Sequence, residues 1–121
     1  VSIMKNYNLG NIEIMGNDLS YRDNKINMHP TIKGIEIFNY DTAINLAKQY
    51  GDDWRLPTIN EFKFLQEYYN INILGFSSEA YWAFDNIPEG FSNNYAYYLS
   101  TRRYGGIPKD QRLKVRLVRN I

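Results

Sequence analysis

Cysteine is absent from the 121 residues and histidine occurs once. The first absence excludes a disulfide framework, a thiolate metal site and a cysteine nucleophile. The second leaves His29, followed by Pro30 in a loop-forming stretch, as the only imidazole. Neither a Ser-His-Asp arrangement nor a Cys-His pair can be assembled around it, and it reads as an ordinary exposed histidine. No apolar run approaches the ~20 residues that cross a bilayer as a helix. Val1 to Asn11 lacks the apolar segment of a signal peptide. The chain therefore reads as cytosolic, or as one whose leader was removed before Val1, with Met4-Lys5-Asn6 as an alternative native start. Gly105-Gly106 is not followed by Lys-Ser/Thr, so it is not a phosphate-binding loop. Asp18, Asp23 and Asn24 share one loop and Asp52-Asp53 another, without the spacing of an EF-hand. No cofactor, metal or membrane contact is expected.

What the chain does have is apolar and aromatic mass. A hydrophobic fraction of 44% with 16% aromatic residues suffices for one packed domain. Charge is unevenly distributed. Residues 1–101 hold seven Lys or Arg against twelve Asp or Glu, a balance of −5, whereas residues 102–121 hold seven against Asp110 alone, a balance of +6. Such a basic segment either pairs with acidic neighbours in the fold or forms a surface for an anionic ligand.

Trp54-Arg55-Leu56-Pro57-Thr58, with Glu61 three residues on, is the sharpest local signal. Thr58 and Glu61 form a capping box, and Pro57 holds Leu56 extended before the helix. Phe62, Leu65 and Tyr69 then give an apolar face to a helix running to about Tyr69. Trp54 and Leu56 are expected in the core, and the planar fork of Arg55 suits backbone carbonyls or a carboxylate. An earlier helix is predicted over 42–50, capped by Asn39 or Asp41, with Ala43, Leu46, Ala47 and Tyr50 as its stripe and Gly51 as its stop. Strands are predicted at 11–15, 33–38, 80–84, 96–101 and 112–119. Residues 16–34 read as a long loop and Tyr104 to Pro108 as a turn. In the last strand Leu113, Val115 and Leu117 alternate with Arg112, Lys114 and Arg116, which predicts one buried and one basic face. The order of elements predicts an α+β domain over residues 11–121 behind an N-terminal extension, 1–10.

These residues also carry a resemblance. Trp54-Arg55-Leu56-Pro57-Thr58 with Glu61, then Gly75-Phe76, Tyr81-Trp82 and Val115-Arg116-Leu117-Val118-Arg119, resemble the bacterial DUF1566 family, also called the Lcl C-terminal domain family, over about residues 11–119. The resemblance implies a C-type lectin-like fold with two helices and a twisted antiparallel sheet bearing long loops. Arg116 matches the first arginine of that family's V-R-x-V-R ending. Two departures stand out. Ala83-Phe84-Asp85 replaces the usual Ser-Ser-Thr after Tyr81-Trp82, and no calcium-site tripeptide of the E-P-N or Q-P-D kind occurs, Pro88-Glu89-Gly90 being no substitute. Calcium-dependent sugar binding is therefore not expected. Nor is the chemistry of formylglycine-generating relatives, which use cysteines. Family members include an adhesin domain that binds sulfated glycosaminoglycans, so the resemblance implies a binding module, not an enzyme.

Tyr97, Tyr98, Arg102, Arg103, Tyr104, Lys109, Arg112 and Lys114 are the candidate ligand-binding residues. Aromatic faces stack on sugar rings and guanidinium forks grip sulfate, phosphate or carboxylate. The competing reading turns about half of the tyrosines inward and pairs the arginines with Asp85, Glu89 or Asp110. Two functions follow: an adhesin-like module for an anionic glycan, or a protein-interaction subunit of a larger bacterial or phage assembly. Nucleic acid is disfavoured by a net charge of only +1 and by the lack of any nucleic-acid-binding motif.

Overall fold

The computed structural model describes residues 6–22, 25–26, 34–85 and 93–121. They form an α+β domain of two helices and antiparallel sheets. The first sheet has the order β1-β2-β9-β5, from β1 (Tyr7–Asn8), β2 (Ile12–Ile14), β5 (Trp54–Arg55) and β9 (Val118–Asn120). A small hairpin of β3 (Tyr21–Arg22) and β4 (Lys25–Ile26) interrupts the expected 16–34 loop. The third sheet, β6-β7-β8, comprises β6 (Ala80–Trp82), β7 (Asn93–Tyr98) and β8 (Arg103–Pro108). Tyr7 pairs with Ile14, so the sheet takes in part of the stretch expected as an extension. His29 and Pro88-Glu89-Gly90 lie outside the described residues.

Both helices follow their caps. The side chain of Asn39 accepts the Thr42 N–H at 2.8 Å and starts α1 (Tyr40–Tyr50), burying Tyr40, Ala43, Leu46 and Ala47. Tyr50, expected in that stripe, is exposed and meets Trp54 edge-on at 5.3 Å. Gly51 ends the helix with extended backbone at φ 168°, so its use is spatial: a Cβ there would lie 3.1 Å from the Trp54 ring. The reciprocal Thr58–Glu61 capping box opens α2 (Ile59–Tyr68). Arg55 grips Glu61 with two hydrogen bonds of 2.7 and 2.8 Å and also donates to the Leu56 carbonyl. Asp85 adds a second cap from afar, accepting the Ile59 N–H at 2.8 Å. Leu56 is fully buried, whereas Trp54 is half-buried beneath Arg119.

The strand expected over 112–119 behaves differently. Its first part bridges the third sheet, where Lys114 lies parallel to Tyr81 and Leu113 opposes Phe38. Its last part is β9, between β2 and β5. One segment thus joins two sheets. Val115 and Leu117 enter a core with Leu56, Trp82 and the α1 stripe. Val118 enters another, with Phe62, Leu65, Tyr81 and Tyr97. The period of two is kept, but the face expected to be basic and solvated is a second interior. Arg116 is wholly buried there. A second expectation fails nearby: Tyr104 to Pro108 is no turn but lies within β8, and the chain reverses instead at 99–102. Arg102 adopts left-handed backbone there at φ 57°. The cross-strand register with β7 overrides the turn propensity of Gly105-Gly106.

Arg116 uses its whole donor set. Nε and Nη2 donate to Asp18 Oδ1, Nη1 to the carbonyls of Met15 and Leu74, and Nη2 to that of Gly75. Its guanidinium lies 4.3 Å from the Phe76 ring centre. Gly75 takes φ 81°, which turns its carbonyl to Arg116 where a side chain would be strained. Arg116→Met leaves these acceptors unpaired in the interior, and we expect it to lower unfolding free energy by about 3–5 kcal/mol. Urea denaturation at neutral pH checks this; a loss below about 1 kcal/mol would place Arg116 among ordinary packing residues.

Candidate binding surface

The alternation of β7 sorts the candidate tyrosines. Tyr95 and Tyr97 face α2, whereas Ala96 and Tyr98 face the other way. Tyr97 is only 1% exposed; its ring stacks on Phe62 at 5.1 Å, and its hydroxyl donates to Gln66 Oε1 at 2.7 Å. Gln66 in turn donates to the Leu99 carbonyl, so this chain of bonds ties α2 to the sheet. Burial pushes the Tyr97 phenol above its usual range, against the pull of Arg102. Tyr97 is therefore a core residue and is removed from the ligand-binding set. Tyr98 is half-buried opposite Arg103.

The remaining candidates fall into three places. At the start of β8, Arg102 and Arg103 are exposed beside Tyr104, which is 49% exposed. Tyr104 meets Tyr95 edge-on at 5.9 Å, and Lys63 of α2 sits 4.9 Å from its ring centre. At the far end of β8, Lys109 lies over the Tyr40 ring and Arg112 is exposed. Six residues of strand separate these ends, roughly 17 Å of extended chain. Lys114 lies elsewhere, across β6, where its ammonium is 3.5 Å from Asp18 and 3.8 Å from Glu79. Lys114 is thus neutralised within the fold and also leaves the set. The cause in both cases is strand position: Tyr97 faces a helix, and Lys114 faces a carboxylate brought from 96 residues away.

Asp85 caps α2, and Glu89 lies outside the described residues. Among the described residues Arg102, Arg103 and Arg112 form no ion pair, and neither does Asp110. Asp18, weighed as a metal ligand, is engaged by Arg116, Lys114 and the Tyr81 hydroxyl at 2.7 Å. Burial and that carboxylate push the Tyr81 phenol far above its usual range, so Tyr81 is a neutral donor at physiological pH. Lys63 was missed by sequence reasoning. It lies 41 residues from Tyr104, and only the packing of α2 on the sheet unites them.

No family model matches this chain, and neither does any curated protein.

Two carboxylates are held below their ordinary range in the fold that carries this surface. Burial raises the Glu61 pKa, but hydrogen bonds from Arg55 and Thr58 outweigh it, and the net shift is below the ordinary 4.5. Glu13 is also lowered, by hydrogen bonds from Asn6 and Arg119. A carboxylate whose folded pKa is depressed contributes stability that is complete above its unfolded value and is lost as pH falls through the folded value. Stability should therefore fall as pH drops below about 4.5, and Glu61→Gln should be less stable at neutral pH with a flatter acid limb. Thermal unfolding between pH 3 and 7 (roughly the carboxylate range and above) checks this; parallel acid limbs for wild type and variant would show that Glu61 does not carry it.

Proposed function

We propose that this domain is a non-enzymatic binding module that captures an extended anionic ligand along β8. The observation that carries this reading is the set of exposed cations at the two ends of that strand. Arg102 and Arg103 at one end and Arg112 at the other lack carboxylate partners among the described residues. Arg116, Arg55 and Lys114, by contrast, are consumed by the fold. Free guanidinium forks beside the half-exposed Tyr104 ring suit sulfate, phosphate or carboxylate groups spaced along a chain.

The C-type lectin-like reading is supported by the pairing of an N-terminal strand, β2, with the last strand, β9, by the two helices, and by a separate antiparallel sheet that carries the basic hairpin. The buried, fully bonded Arg116 stands where the family's V-R-x-V-R ending has its first arginine. On this reading the anion is a sulfated glycan or an acidic protein segment.

Retention on immobilised heparin, used as a linear polyanion, tests the reading. Wild type should be retained and released by salt, because contacts between exposed charges are screened. Arg102→Glu/Arg103→Glu should elute much earlier with an unchanged circular dichroism spectrum. Lys114→Gln, at a cation already engaged by Asp18, should elute with wild type. Flow-through of the wild type at low salt would overturn the reading.

A further inference from the structure

Among the described residues the third sheet ends at β8, which pairs with β7 alone. Its hydrogen bonding can be followed residue by residue. Ala83 N–H donates to the Tyr95 carbonyl, so Tyr95 and Tyr97 direct their backbone groups toward β6. Asn94, Ala96 and Tyr98 then direct theirs toward β8, where they meet Ile107, Gly105 and Arg103. The alternate residues of β8 point outward: Tyr104, Gly106 and Pro108. Pro108 has no N–H, and its carbonyl accepts the Gln111 N–H at 3.0 Å. Tyr104 and Gly106 present an N–H and a C=O each, and no bond from these groups to a described residue outside the sheet exists. That is the repeat an added strand requires. Around Gly105 the sheet face is also open, since a Cβ there would meet nothing within 4 Å.

Charge selects the occupant. Residues 102–112 carry Arg102, Arg103, Lys109 and Arg112 against Asp110 alone. A second copy of the chain pairing through β8 would double that cationic ladder, and like charges along paired strands repel. An acidic strand meets it with complementary charge. A glycan would use the guanidinium groups but cannot continue the backbone ladder at Tyr104 and Gly106.

We infer that β8 is an acceptor edge for an acidic, extended polypeptide segment, which adds as a fourth strand through the backbone of Tyr104 and Gly106 while its carboxylates engage Arg102, Arg103 and Arg112. This rests on the proposed anion-binding role of the same hairpin and names its ligand class. The acidic strand brings the specificity of register, since its carboxylates must fall at the two ends of β8 when its amides align with the centre.

The probe is a synthetic peptide alternating glutamate with valine, compared with the same peptide N-methylated at alternate amides and with heparin, all titrated into the intact chain. Binding should protect the Gly106 amide against hydrogen exchange, and N-methylation on the pairing edge of the peptide should weaken binding by tenfold or more. Gly106→Pro removes an outward N–H without touching the β7 ladder, and Pro is tolerated at such edge positions. It should lose the unmodified peptide while keeping heparin retention. Equal binding of the methylated and unmodified peptides, with heparin retained, would overturn strand addition and leave the anion-binding role standing. Failure of both peptide and heparin would overturn both. A concentration-dependent dimer that protects Gly106 in the absence of peptide would overturn the acidic segment in favour of a second copy.

Discussion

Arg116 donates to Asp18, Met15, Leu74 and Gly75 while its flat face rests on Phe76. These partners come from the end of the first sheet, the loop after it and the turn before the third sheet, segments that share no strand pairing with one another. A guanidinium is the one side chain with enough fixed donors to bind so many acceptors at once. Burying it is costly, and the cost is offset only because every donor is used. The residue therefore acts as a joint. It fixes where residues 71–76 lie relative to β9, and that placement brings Phe76 against Phe62 and Tyr81 in the core.

From this joint the C-terminal segment spans the molecule. Its backbone is shared between two sheets, and its side chains enter two separate cores. This arrangement explains the fate of the basic residues. From Lys114 onward they are consumed: Lys114 by Asp18, Arg116 by Asp18 and three carbonyls, and Arg119 by Glu13 and the Trp54 ring. Arg102, Arg103 and Arg112, at the two ends of β8, form no ion pair among the described residues. The excess of +6 over residues 102–121 is therefore partly structural and partly displayed. The displayed part frames β8, which is why the binding reading rests on that strand and not on the tail as a whole.

The α2 helix links the two themes. Its start is held by Glu61, Thr58, Arg55 and Asp85, a set of charge-assisted bonds around one helix end. Its middle stacks on Tyr97 through Phe62, and its outer face lends Lys63 to the Tyr104 ring. A helix so anchored packs on the inner face of the hairpin, while among the described residues no strand pairs with the outer edge of β8. A binding surface made of exposed arginines benefits from such a scaffold, because only the side chains, and not the strand, must be ordered on binding.

The elements that were legible in the sequence are those with local causes. The Thr58–Glu61 box, a cap at Asn39 or Asp41, the Ala43, Leu46 and Ala47 stripe of α1 and the choice of carbonyl or carboxylate for Arg55 all act within a few residues, so spacing carried them, and the structure decided for Asn39 and for both Arg55 partners. The α+β class followed from the order of those patterns. Tertiary structure alone decided the rest. Gly105-Gly106 has turn propensity, yet register with β7 makes it strand. Arg116 alternates like a surface residue, yet a second core covers its face. Tyr97 and Tyr98 are neighbours of one type, yet a helix buries the first. Lys114 and Arg112 look equivalent, yet Asp18 reaches only Lys114. For Arg116, Tyr97 and Lys114 the deciding partner is distant in sequence, and for Gly105-Gly106 it is the strand across the hairpin. A one-dimensional pattern records which faces a strand has, but not what is packed against them.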